Sequence, residues 1–272
     1  SFHVNNNLSI VADALSANVK YGDLEMLETY LADTYGEAFA GIYIVPQYEI
    51  MEDEEVNDPN MGTAGDMVGA STAWSEGYTG AGSRVAIIDT GLDTDHPSFD
   101  PDAFLYSLNL SALENGKDVA DYNLLTAEEI ESVLPLLNAT ARYEESKKKD
   151  LTASDLYRNE KLAFAFNYVD RDLDVTHDND TEGDHGSHVS GIATANLFVK
   201  KVAANGAISF VHQENKVAGV APEAQLLTMK VFGKMGGAYN DDYMAAIEDA
   251  LLLNCDAVNL SLGSGVPGRS YG

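Results

Sequence analysis

Two short segments hold residue types that could do acid–base chemistry together. In Val85-Ala86-Ile87-Ile88-Asp89-Thr90-Gly91 an apolar run ends on a carboxylate and is followed by a glycine. In His185-Gly186-Ser187-His188-Val189-Ser190-Gly191 a histidine opens a run of small residues. The first reads as a buried strand that presents Asp89 at a turn. The second reads as a helix able to pack close under a sheet. A serine hydroxyl is a poor nucleophile at neutral pH and needs a base, which in turn needs an orienting partner. Asp89 and His185 are those two parts; alone, Asp89 reads equally well as a turn aspartate capping the next loop.

Other histidines and acids compete for attention. His188 follows His185 by three residues, so both could sit on one helix face and bind metal. The zinc-protease pattern wants a Glu directly after the first His, and Gly186 stands there, so no metal ligand is assigned. His96, in Asp93-Thr94-Asp95-His96-Pro97, is expected to cap the turn after the Asp89 strand, and His177, among acids, to lie on the surface. The run from 170 to 180 is dense in carboxylate and amide oxygens, the ligands Ca²⁺ takes, but it lacks the glycine turn and terminal Glu of an EF-hand loop. A solvated acidic loop is the expectation, with structural Ca²⁺ the alternative; no cofactor is required.

These motifs, with Val217-Ala218-Gly219-Val220-Ala221-Pro222 and Asn259-Leu260-Ser261-Leu262-Gly263, occur in the order of a subtilisin-like serine protease. The chain resembles the first half of such an enzyme, and among them the lactocepin and C5a-peptidase group of Gram-positive cell-envelope proteinases. The Asp-then-His order is the subtilisin order. The resemblance implies that Asp89 and His185 are catalytic, that His188 is structural, and that Ser187 stands where the family usually has Thr. It implies that Ser261, Leu262 and Gly263 form the strand that pairs with an extended substrate, with Gly263 leaving the pocket wall open. It also implies an α/β fold: a parallel sheet with helices on both faces, incomplete in this chain, preceded by a small α+β propeptide-like segment.

The elements that must position these residues can be placed coarsely. Residues 1–50 read strand–helix–strand: alternation over 8–19, helical spacing over 21–35, and a β-rich run over 38–50. By pattern this resembles the latter part of a propeptide that inhibits the protease with its extended end. Residues 51–70 read as an acidic, turn-rich linker, and 71–272 as the N-terminal part of the catalytic domain, with Trp74 as packing. Asp89 and His185 are 96 positions apart, which leaves an insertion of about 100–180, expected on the surface at the active-site end. Within it Thr126 and Glu129 form a capping-box pattern, and Lys147-Lys148-Lys149 reads as a solvated helix face. Beyond it the pattern is helix over 189–202, strand over 226–232, helix over 241–253 and strand over 257–262.

Composition narrows the class. A formal charge of −28 repels nucleic acid and anionic membrane. One cysteine, Cys255, excludes an intrachain disulfide, and its apolar surroundings suit a buried helix end rather than a nucleophile. No run of 18 apolar residues is present, so no membrane span is expected. Ser1-Phe2-His3-Val4-Asn5 lacks the basic start and apolar run of a signal peptide, so an exported parent would have lost its signal before Ser1.

Neither a Gly-Thr-Ser type nucleophile turn nor the family's oxyanion Asn occurs in these 272 residues, and Ser261, Ser264 and Ser270 lack that setting. The reading is therefore a secreted or cell-wall-associated serine endopeptidase acting on protein or peptide substrates. This chain supplies Asp and His, and a second polypeptide carrying the serine half is the expected partner, the chain being nicked near Gly272. The alternative is a non-catalytic propeptide-inhibited fragment or a pseudoprotease binding module.

Overall fold

The computed structural model describes residues 3–50, 61–178, 180–181, 183–213 and 217–263. An antiparallel hairpin, β1 (His3–Leu8) and β2 (Ala14–Asn18), is followed by α1 (Leu24–Tyr35) and a short strand β3 (Gln47–Ile50). Helices α2 (Met61–Met67) and α3 (Ala70–Ser75) lead into β4 (Arg84–Asp89). Four helices come next: α4 (Pro101–Glu114), α5 (Ala127–Val133), α6 (Asn138–Lys147) and α7 (Ala153–Leu156). Then follow β5 (Leu162–Asn167), α8 (His185–Thr194), the hairpin β6 (Phe198–Val202) and β7 (Ile208–His212), and β8 (Gln225–Lys230). The last elements are β9 (Ala238–Tyr239), α9 (Asn240–Leu252), β10 (Ala257–Asn259) and β11 (Leu262–Gly263).

The central sheet runs β10-β4-β8-β5, and all its pairings are parallel. Its strands are buried on both faces, as their continuous apolar runs require. Ala86 and Ile88 join Phe164, Phe166, Leu227 and Met229 in one core with α6, α7 and α9. Ile87 points the other way, to Leu162, Ala165, Leu226 and Val189 of α8. Each fully buried Ile or Leu contributes about 1.5–3 kcal/mol. This is the expected α/β fold with a helix-covered parallel sheet. Register places Asp89, Lys230 and Asn167 side by side at the carboxyl ends of three adjacent strands.

Several expectations need correction. The 8–19 run is not one strand but the end of β1, a turn through Asp13 (φ +45°), and β2. In the 38–50 run only Gln47 onward is strand, and Tyr43 and Ile44 are exposed. The helix opening at His185 stops at Thr194, and 198–202 is instead strand β6, paired antiparallel with β7. Its Phe198-Val199 pair, β-branched and aromatic, suits a pleated ribbon better than a helix. The 257–262 run breaks after Asn259, and Leu262 and Gly263 leave the central sheet for another one.

The largest correction concerns the insertion. Leu125, Ile130, Leu134, Leu137, Ala139, Tyr143, Leu151, Ala153 and Leu156 all belong to the main core, and β5 is a strand of the central sheet. The segment is not a surface appendage. Part of it closes the amino end of the strands: buried Arg84, first residue of β4, donates to the Asn123 carbonyl (3.0 Å) and pairs with Glu129 (3.0 Å). Acidic residues on the outer helix faces hid an apolar stripe at positions 130, 134 and 137. The capping box itself is present, with Thr126 and Glu129 exchanging bonds of 3.3 and 3.2 Å. Lys147, Lys148 and Lys149 are solvated as expected.

The N-terminal hairpin docks on α9 and α6 through polar contacts. Glu248 accepts from the backbone of Ile10 (2.6 Å) and Val11 (3.0 Å). Arg142, 1% exposed, donates to Asn6 Oδ1, to the Tyr168 carbonyl and to Asp242 Oδ1 (2.7 Å). Burial holds the Asp242 carboxyl up at about 6, although Arg142 pulls it down. A carboxyl whose folded pKa exceeds its unfolded value binds its proton more tightly in the fold. The stability this gives is complete below about pH 4 and is lost as pH rises through about 6. Asp242→Asn is therefore expected to reduce the fall in stability between about pH 4 and about pH 7 by on the order of 2 kcal/mol, measured by urea unfolding at both ends of the window.

Candidate active site at the carboxyl end of the sheet

The turn after β4 and the amino end of α8 meet with almost no space between them. A Cβ on Gly186 would lie 2.3 Å from the Gly91 carbonyl oxygen and 3.1 Å from the Thr90 amide. Gly91 has φ +116°, and a Cβ there would lie 2.2 Å from the Val175 carbonyl oxygen. Both positions need glycine on steric grounds. Thr90 Oγ1 accepts from the Gly186 amide (2.9 Å), satisfying one of the orphan donors at the start of α8. The far end of α8 is fixed by the Val217–Pro222 motif. Gly219, Val220 and Ala221 donate to the carbonyls of Ala195, Ile192 and Ala193 at 2.8–2.9 Å, and a Cβ on Gly219 would lie 2.4 Å from the Ala195 amide. Trp74, half-buried, donates from Nε1 to the Val220 carbonyl (2.8 Å), so it does pack, and it also tethers that motif.

This construction brings His185 Nδ1 to 2.7 Å from Asp89 Oδ1. Their side chains are 9% and 1% exposed. Asp89 Oδ1 also accepts from the Thr90 amide at 2.7 Å, which locks the carboxylate in the orientation the histidine needs. A proton on Nδ1 directed at Asp89 fixes the tautomer in which Nε2 is basic, and the carboxylate stabilises the imidazolium when Nε2 takes a proton. The site lies where an open parallel sheet binds ligands, outside the carboxyl ends of its strands.

Lys230 was not singled out from the sequence. It is 1% exposed, donates to the Thr90 carbonyl, and pairs with Asp180 at 2.5 Å. It therefore ties the Asp89 turn to the loop that leads into His185. A lysine in an apolar strand, next to a strand that ends in Asp, was the available signal. Lys230→Met leaves Asp180 buried without its cation and is expected to cost about 3–5 kcal/mol. Pairing it with Asp180→Asn should recover part of that loss; denaturant midpoints of the two single variants and the double variant check this.

The remaining candidates are sorted by the geometry. His96 caps as expected, its ring Nδ1 accepting from the Ser98 amide (3.2 Å). His188 is exposed on α8 rather than built into the core. His177 is half-buried, not on the surface: its Nε2 is 3.1 Å from Ser187 Oγ, which accepts from the Asp93 amide (2.7 Å). Burial pushes the Cys255 thiol up to about 12, which suits an inert thiol. The acidic run lines a cavity of about 230 Å³ with Asn167, Lys230 and Lys234. Its carboxylates serve as turn acceptors: Asp172 for the Asp174 amide and Asp174 for Thr176. Among the described residues no group of three His, Cys, Asp or Glu side chains is arranged to hold a metal ion.

Ser261, Leu262 and Gly263 leave the central sheet beside β4, at the same end as Asp89. β11 pairs antiparallel with β3, Leu262 opposite Ile50 and Gly263 opposite Glu49. β3 pairs on its other side with β9, also antiparallel. A segment of the chain's own N-terminal region is thus the middle strand of a three-stranded sheet on the edge expected to bind substrate.

The sequence model of the subtilase family matches residues 80–271. The chain belongs to the subtilase family. It is 31% identical over 210 residues to the PI-type proteinase of Lactococcus lactis subsp. cremoris, an alignment covering 76% of this chain and 9% of that protein. It is 29% identical over 216 residues to the minor extracellular protease Vpr of Bacillus subtilis, covering 78% of this chain and 18% of Vpr. Against the C5a peptidase of Streptococcus pyogenes serotype M6 the identity is 28% over 211 residues, 77% of this chain and 14% of that protein. The chain therefore spans less than a fifth of the length of these relatives. Among the described residues no helix is long and apolar enough to cross a membrane.

Proposed function

We propose that the protein is a serine endopeptidase of extracellular or cell-envelope location, in which this chain supplies the acid–base pair. The observation that carries the reading is the 2.7 Å contact between buried Asp89 and His185 at the carboxyl end of the parallel sheet. His185 Nε2 takes the proton of a serine hydroxyl as that oxygen attacks the peptide carbonyl, then returns it to the leaving amine. Asp89 holds the ring and stabilises the imidazolium between those steps. The nucleophilic serine and the oxyanion donor come from outside these 272 residues, in the same polypeptide or in a cleaved partner. The names of the relatives, all proteinases or peptidases and one of them extracellular, support the reaction class and the location.

Ser261, Leu262 and Gly263 are the edge on which an extended substrate adds as a strand. Residues 1–50 act as a propeptide, 51–70 as the linker where processing occurs, and 71–272 as catalytic-domain sequence. The placement of β3 along that edge supports an inhibited precursor. The test uses the full-length protein and an unfolded protein substrate. Peptide-bond hydrolysis that a serine-directed reagent abolishes is the expected result. No hydrolysis by either the precursor or the form lacking residues 1–60 would favour a binding module.

A further inference from the structure

The segment in the cleft also reports what the cleft selects. Successive side chains of a strand face opposite ways, so Tyr48 and Gln47 read two different walls. Tyr48 pairs in register with Ala238, and its ring meets that of Tyr243 edge-on, with centroids 5.4 Å apart and planes at 77°. Tyr243 lies in the first turns of α9, and both it and Leu262 are partly buried against the main core, so this wall is rigid. On the other side, a Cβ on Gly237 would fall 1.8 Å from Gln47 Nε2; the glycine leaves room for a long side chain to lie flat.

We propose that Tyr243 forms the selective wall of a substrate subsite. The substrates are then extended peptides that carry an aromatic side chain at the register of Tyr48, two residues before the one facing Leu262. The inference rests on the peptidase reading and adds its substrate class. Any peptide that replaces β3 between β11 and β9 in the same register places that side chain on Tyr243. An edge-to-face aromatic pair there favours a ring over a methyl group by up to about tenfold.

Two measurements on the full-length protein test this and separate it from the peptidase reading. The first is amide exchange over 47–50 in the wild type, Tyr48→Phe and Tyr48→Ala. Exchange several-fold faster in Tyr48→Ala, with Tyr48→Phe close to wild type, is expected; equal exchange in all three overturns the proposal. The second is kcat/KM on peptides that differ only at this register (Tyr, Phe, Leu, Ala or Lys), with the wild type and Tyr243→Leu. A Tyr-over-Ala preference near tenfold that collapses in Tyr243→Leu supports the subsite. Cleavage without preference, or a preference that survives in Tyr243→Leu, overturns it. If no peptide is cleaved, the peptidase reading fails, and the exchange result alone decides whether the subsite exists.

Discussion

Replacing Asp89 with Asn in the full-length protein should lower kcat by about 10⁴-fold, and His185→Ala by about 10⁶-fold, with little change in KM. The asymmetry follows from the geometry. Asn can offer its amide to His185 Nδ1, which stabilises the wrong tautomer and moves the ring proton to Nε2. The ring stays in place, held by the Thr90 and Gly186 framework, but it can no longer accept a proton from the serine. Removing the imidazole takes away the base itself. Together the two variants should lose little more than His185→Ala does, because the residues act as one unit. Initial rates with a fluorogenic peptide, each variant alone and combined, check this. A drop in KM-controlled binding with kcat preserved would place Asp89 in structure rather than in proton transfer.

Gly186→Ala should be the most damaging single-atom change near the site. On helix propensity alone, alanine inside α8 gains up to about 1 kcal/mol over glycine. Here the added Cβ would sit 2.3 Å from the Gly91 carbonyl oxygen and 2.9 Å from the Gly91 amide, both backbone atoms. Neither can rotate away, so α8 must lift off the β4 turn. Overpacking of this kind costs about 1–3 kcal/mol or more. The same lift breaks the bond from the Gly186 amide to Thr90 Oγ1 and moves His185 away from Asp89, so activity should fall at least about 100-fold even in the fraction that folds. Thermal unfolding together with titrated kcat separates the two effects. A stabilised, fully active Gly186→Ala would mean that the helix and turn are less tightly joined than described.

Much of the site was legible in the sequence because its parts are local and periodic. The strand ending in Asp89 is a short apolar run followed by a turn glycine, and the helix carrying His185 is a run of small residues. Their pairing follows once both are assigned to one parallel sheet. The alternation of helix and strand after Gly219 gave the sheet and its carboxyl-end crevice. What the sequence did not reveal depends on long-range burial. Ile130, Leu134 and Leu137 are core residues carried on helices whose other faces are acidic, so composition placed them on the surface. Lys230 and Arg142 look like solvent-facing cations until the fold supplies Asp180 and Asp242 as buried partners. The end of α8 at Thr194 was missed because 189–202 has no breaking Pro, and the switch to β6 depends on pairing with β7.

The most direct test of the central claim is fluorophosphonate labelling of the full-length native protein, wild type beside His185→Ala, followed by intact mass of every polypeptide. A single adduct on one serine outside these 272 residues, present in the wild type and absent in His185→Ala, is the predicted result. It would mean that His185 activates a nucleophile brought to it by the rest of the protein. No adduct on any polypeptide, or an adduct that persists equally in His185→Ala, would contradict the account.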